Sequence, residues 1–141
     1  MRTANLVPQD VQLLWTDSVA ARPPAFNLTE PTPQDGVMLL DVEGDLDAPN
    51  VSRWSKLVNF AITDGATGIT VDLRGCRTVD LGCLSVLVAA SGKLKGRGDR
   101  GINLVTTPDS PLERRVGATA AQALPAYDSA GDALRAFRDV P

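Results

Sequence analysis

From Val37 onward, short runs of branched and aliphatic residues take turns with stretches whose apolar side chains return every three or four positions, and this alternation narrows the fold more than any other property of the chain. Val37-Met38-Leu39-Leu40-Asp41-Val42 is β-prone and ends at a turn signal, Glu43-Gly44-Asp45. Val51, Trp54, Leu57, Val58 and Ala61 then mark an amphipathic helix that closes near Gly65, with Asp47 or Asn50 placed to cap its first turn. Gly68-Ile69-Thr70-Val71-Asp72-Leu73 is an apolar strand whose branched residues suit the middle of a sheet. The next helix, over about 82–95, is apolar all round, which predicts enclosure by its neighbours before Gly96-Arg97-Gly98 ends it. Ile102-Asn103-Leu104-Val105 gives another strand, followed by a short helix from Pro111 to Val116 closed by Gly117. Leu124-Pro125-Ala126-Tyr127 is a brief strand, and Asp128 or Ser129 caps a last helix with Ala133, Leu134 and Phe137 as its buried stripe.

With Phe26-Asn27-Leu28-Thr29 as a short edge strand, the order is strand, strand, helix, strand, helix, strand, helix, strand, helix. The expected fold is α/β: a mixed, largely parallel sheet of four to five strands packed with about four helices. Residues 1–25 form an N-terminal arm and residues 26–141 the domain. Pro8, Pro23 and Pro24 punctuate the arm. Val11, Leu14, Trp15 and Val19 fall at near-helical spacing over 9–20, and such a helix either covers the domain's own sheet or meets a partner. Trp15 and Trp54 both sit on helical apolar faces, which favours burial over display.

The length of 141 residues fits one domain. With 14 Lys and Arg against 17 Asp and Glu, the chain lacks the basic footprint that phosphate backbones require, so nucleic acid is not an expected partner. No run approaches the roughly 18 apolar residues of a membrane span. The first residues carry no signal-peptide pattern, and the expected location is the cytoplasm. The chain contains no histidine, which removes Ser-His-Asp and Cys-His nucleophiles, zincin motifs and histidine phosphorelays together. Cys76 and Cys83 match neither a redox Cys-x-x-C nor a zinc knuckle and read as reduced, buried thiols. Asp45 and Asp47 could hold a cation as a carboxylate pair, but without a third ligand they read as a solvated turn and helix cap, so no metal or cofactor is expected. The stretch from Gly96 to Gly101 lacks a Gly-Lys-Ser/Thr ending and follows a helix, so it is a turn and not a phosphate loop. The chain is not expected to be an enzyme.

The stretch Val71-Asp72-Leu73-Arg74-Gly75-Cys76-Arg77-Thr78-Val79-Asp80-Leu81-Gly82-Cys83-Leu84 resembles, without gaps, the central signature of bacterial STAS domains of the anti-sigma factor antagonist type. Glu43-Gly44-Asp45-Leu46-Asp47 looks like the Gly-x-Leu-Asp ahead of that family's first helix, and Leu94-Lys95-Gly96-Arg97-Gly98 resembles its Gly-bearing turn. The resemblance implies a STAS fold and a non-catalytic domain that docks onto a kinase-type anti-sigma factor or a related signalling protein. It implies a contact surface where two loops meet: Asp45, Asp47 and Asn50 on one, Asp80, Leu81, Gly82, Leu84 and Ser85 on the other. A homodimer stays open.

One departure matters. Where typical members carry the serine that their kinase phosphorylates, this chain has Leu81, which has no hydroxyl. Gly82 stands where Ser or Thr is usual and Cys83 where Gly is. Leu81 is either an exposed anchor that keeps the surface permanently active or a residue turned inward after docking was lost. Ser85, one turn along the same helix, and Thr78 are the substitute modification sites, against the reading of packed or loop hydroxyls. Asp80 is either a partner contact or an N-cap for residues such as Cys83. The other functional reading is a STAS-like scaffold or small-ligand sensor in a different signalling complex.

Overall fold

The computed structural model describes residues 2–4, 25–32, 36–120 and 123–138. The helix expected over 9–20, and Trp15 with it, lies outside the described residues. Among the described residues, six strands form one sheet in sequential order: β1 (Arg2–Ala4), β2 (Ala25–Thr32), β3 (Val37–Leu46), β4 (Gly68–Val79), β5 (Gly101–Val105) and β6 (Ala126–Tyr127). β1, β2 and β3 pair antiparallel, while β3 to β6 run parallel. The segment around Phe26 is therefore not an edge strand, because β1 pairs outside it.

Each parallel step is bridged by a helix: α1 (Val51–Thr63), α2 (Leu81–Gly96) and α3 (Pro111–Ala120), with α4 (Ala130–Arg138) closing the fold. Side chains alternate across a strand, so Met38, Leu40 and Val42 of β3 and Ile69, Val71 and Leu73 of β4 share one face. They form a single core with Trp54, Leu57, Val58 and Ala61 of α1, Leu84, Leu87 and Leu94 of α2, and Val116 of α3. On the other face Thr70 donates its hydroxyl to Asn103 Oδ1 at 2.7 Å, and Asn103 Nδ2 donates to the Ala133 carbonyl at 2.8 Å, which ties α4 to the sheet. A Cβ on Gly68 would lie 3.4 Å from the Phe137 ring, so α4 rests directly on that strand.

Caps and stops follow from local chemistry. Ser129 Oγ accepts the Asp132 amide at the start of α4. Ser110 Oγ accepts the Glu113 amide at the start of α3, while the Glu113 carboxylate accepts from the Asp109 amide. α3 does not stop at Gly117 but continues to Ala120. α2 ends in a Schellman turn: the Asp99 amide bonds the Leu94 carbonyl, the Gly98 amide bonds Lys95, and Gly98 takes φ +88°, which a side chain would resist. α1 has no side-chain cap from either Asp47 or Asn50; a 3-10 turn over Ala48–Asn50 leads into it, with the Asn50 amide on the Asp47 carbonyl.

Candidate docking surface

The two segments expected as loops are strand. β3 runs through Glu43-Gly44-Asp45 to Leu46, and β4 runs past Leu73 to Val79. Their parallel ladder pairs Glu43 with Gly75, Gly44 with Cys76, Asp45 with Thr78 and Leu46 with Val79. Two register shifts each place one more residue on β4 than on β3, and at the second the extra residue is Arg77. A bulge of this kind bends the strand and re-aims the surplus side chain, and Arg77 is left 64% exposed. Gly75 is required here because a Cβ would stand 2.9 Å from Glu43 Cγ and 3.0 Å from the Val42 carbonyl oxygen.

The ladder delivers the chain to the mouth of α2. The Asp80 amide bonds the Leu46 carbonyl at 2.7 Å, and the Asp80 carboxylate accepts the Leu81 amide at 2.7 Å. Asp80 is thus the N-cap, although the amide of Cys83 goes to its main-chain carbonyl and not to its side chain. Extended backbone at Asp80 and helix from Leu81 put Leu81 at the first helical position, with its side chain turned out and 49% exposed. α1 meets this mouth closely. Trp54 Nε1 donates to the Cys83 carbonyl at 3.1 Å, and a Cβ on Gly82 would come within 3.0 Å of Val51 Cγ2.

The eight residues expected on the contact surface separate. Leu81 and Ser85 are exposed, and Asp47, Asp80 and Gly82 are half-buried. Asp45, Asn50 and Leu84 are buried and offer a partner nothing directly. Leu84 faces the sheet because a helix that begins at Leu81 turns Cys83, Leu84 and Leu87 inward together. Asn50 lies inside the turn, where its Nδ2 donates to the Asp47 carboxylate at 2.5 Å and its Oδ1 accepts from Arg53 at 3.3 Å. Asp45 Oδ2 lies 3.4 Å from the Arg77 guanidinium, and its Oδ1 is buried without a hydrogen-bond partner among the described residues. Thr78 is exposed beside Arg77.

Sequence reasoning missed two parts of this surface. α2 is not enclosed: Leu81, Ser85, Val88, Ala89 and Gly92 are exposed along one side, and the all-round apolar content that suggested burial is in part this outward stripe. Between α1 and α2 runs a shallow groove of about 390 Å³ lined by Ser55, Asn59, Gly82, Ser85, Val86 and Lys93 among others. On the other side of the helix mouth, Arg77, Thr78, Val79, Pro111, Leu112 and Arg115 line a cleft of about 220 Å³. Arg115 lies too far along the chain for any local pattern to have linked it to Thr78.

Both cysteines are free, Cys83 fully buried and Cys76 half-buried. Burial, reinforced by the charges of Asp80 and Asp47, pushes the Cys83 thiol up to about 12. Burial, with Asp72, Asp41 and Asp45 adding to it, does the same for Cys76. Neither is a nucleophile at neutral pH. Among the described residues no three His, Cys, Asp or Glu side chains converge to hold a metal ion, and no helix is long and apolar enough to cross a membrane.

A family model described as "Mlab, STAS domain" matches residues 31–123. No curated protein sequence matches the chain. Among solved structures, an anti-sigma factor antagonist from Mycobacterium paratuberculosis superposes with a TM-score of 0.70 at 22% identity, over 82% of this chain and 95% of that one. A putative anti-sigma factor antagonist from Thermotoga maritima gives 0.66 at 22% identity, over 81% and 93%. The anti-sigma factor antagonist SpoIIAA in its unphosphorylated form gives 0.62 at 21% identity, over 82% and 100%. At these identities the likeness is one of fold.

Proposed function

Because the chain belongs to the STAS-domain family, we propose that it is a non-catalytic regulatory domain that docks onto a kinase-type anti-sigma factor through the mouth of α2 and lacks the serine switch there. The observation that carries the reading is Leu81: a large apolar side chain, 49% exposed, fixed at the first turn of a capped helix and flanked by a groove and a cleft. A well-ordered apolar residue held in water gains most by being covered, and a fully covered leucine contributes roughly 1.5–3 kcal/mol. The same position without a hydroxyl accepts no phosphate, so the charge that would disrupt docking cannot be added at residue 81. Control would then rest on the abundance of the domain or on the exposed hydroxyls of Thr78 and Ser85.

The test is direct binding. Purified kinase-type anti-sigma factors from the source bacterium are titrated with the protein by calorimetry, with ADP and with ATP. At least one is expected to bind, to bind equally after prolonged incubation with ATP, and to lose affinity at least tenfold for Leu81→Asp. Failure of all of them to bind overturns the reading.

A further inference from the structure

We infer that the cleft beside the helix mouth receives a carboxylate carried by an apolar segment of the docked protein; this rests on the docking reading and adds the partner's chemistry to it. The cleft is lined by the apolar Val79, Pro111 and Leu112 together with Thr78 and two arginines, Arg77 and Arg115. Arg77 is the surplus residue of a bulge, and its side chain is 64% exposed. Its contact with Asp45 is 3.4 Å, longer than the roughly 2.7–2.9 Å of a charge-assisted bond, which leaves its planar fork available to a better acceptor. Arg115, an exposed residue, donates from Nη1 to the Val79 carbonyl at 3.1 Å, which ties its side chain to the rim of the cleft.

The apolar lining is built in advance. Pro111 and Leu112 open α3, whose first turn is fixed by the Ser110 hydroxyl on the Glu113 amide and by the Glu113 carboxylate on the Asp109 amide and the Thr106 hydroxyl. The Arg77 fork beside apolar surface, with the Arg115 charge on the same cleft, suits a planar anion with aliphatic atoms behind it, which describes a Glu or Asp side chain in an apolar segment. Position selects a protein-borne carboxylate. Thr78 and Val79 stand three and two residues before Leu81, within about 10 Å along the chain. A chain that covers Leu81 passes over the cleft and can deliver both groups together. In a chain with 17 Asp and Glu against 14 Lys and Arg, this is a local pair of cations, and an acidic partner segment is complementary to it.

The experiment uses the anti-sigma factor that binds in the docking test and measures its affinity for Arg77→Glu, Arg115→Glu and the double variant at low and high salt, with Leu81→Asp in parallel. Because Arg77 faces the buried Asp45 carboxylate, Arg77→Gln is the principal variant, and it and Arg115→Gln, both checked by melting temperature, remove each charge without reversing it. Each reversal is expected to weaken binding 10- to 100-fold, on the order seen for charge pairs at interfaces. The double reversal is expected to invert the salt dependence, because salt then screens repulsion instead of attraction, and an acid-to-arginine change on the partner should restore at least tenfold. If both arginine variants bind within twofold of wild type while Leu81→Asp does not bind, the cleft assignment is overturned and docking stands. If nothing binds the wild type, both fall. Micromolar binding of inorganic phosphate alone, lost in Arg77→Glu, would overturn the assignment in favour of a small-anion site.

Discussion

The indole N–H of Trp54 donates to the main-chain carbonyl of Cys83 across 3.1 Å, which bonds the first helix to the opening turn of the second. Trp54 is fully buried in the core, so it supplies both volume and this bond. Trp54→Phe removes the donor and part of the ring, and is expected to cost about 2–4 kcal/mol. Thermal unfolding should register this as a fall of about 2–4 °C per kcal/mol. The amides of the first turn of α2 should exchange faster than those of α4.

Two glycines should respond in opposite directions to alanine. At Gly75 the new Cβ meets the Val42 carbonyl at 3.0 Å, and that oxygen cannot retreat without opening the β3–β4 ladder. Gly75→Ala is expected to lose about 1–3 kcal/mol, read as a lower denaturation midpoint in guanidinium chloride. Gly92 lies on the outer side of α2 with nothing within 4 Å of the added atom. Gly92→Ala should gain about 0.5–1 kcal/mol from helix propensity alone.

The thiols set an alkaline limit. Each rises from an ordinary 9.0 to about 12 on folding, so between those values the unfolded chain releases protons that the folded one keeps. Stability is therefore fully present below about pH 9 and falls as pH rises towards 12. Denaturant midpoints measured from pH 8 to 10.5 should decline for the wild type and decline less steeply for Cys76→Ala/Cys83→Ala. In the native state at pH 8, Cys83 should resist alkylation until the protein is unfolded.

Leu81→Ser restores a hydroxyl at the helix mouth without touching the core. Stability should stay within about 0.5 kcal/mol of wild type, as for exposed sites in general. Incubated with ATP and the kinase-type anti-sigma factor, this variant should gain one phosphate by intact mass and then release its partner. The wild type should gain none at residue 81; a phosphopeptide mapping to Thr78 or Ser85 would show that the switch has moved.

Asn103 tests what anchors the last helix. Asn103→Val leaves the buried Thr70 hydroxyl without its acceptor and removes the donor to Ala133, a loss of about 1–3 kcal/mol. Hydrogen exchange in Ala130–Arg138 should accelerate before the rest of the fold responds.

The interior was written plainly in the sequence. Trp54, Leu57, Val58 and Ala61 at helical spacing, and Ile69, Val71 and Leu73 at strand spacing, are buried where their periodicity put them. What local reading lost lies where pairing overrides propensity. Glu43-Gly44-Asp45 and Arg74-Gly75-Cys76-Arg77 carry turn-forming and charged residues, yet each is strand because the other is there to pair with it. The same cause explains the buried Asp45. Leu84 went inward because the phase of α2 is set by the Asp80 cap, and no residue type announces phase. The arginine cleft joins positions 77 and 115, a contact made by tertiary structure alone.

That paired extension of β3 and β4 bears on how association should look in time and heat. On the docking reading, a partner would meet a backbone already braced by hydrogen bonds along β3 and β4, so little of these two strands would have to be ordered on contact. Capture should therefore behave as near-rigid docking, with a heat-capacity change set by the apolar area covered and none of the larger signature of folding on binding.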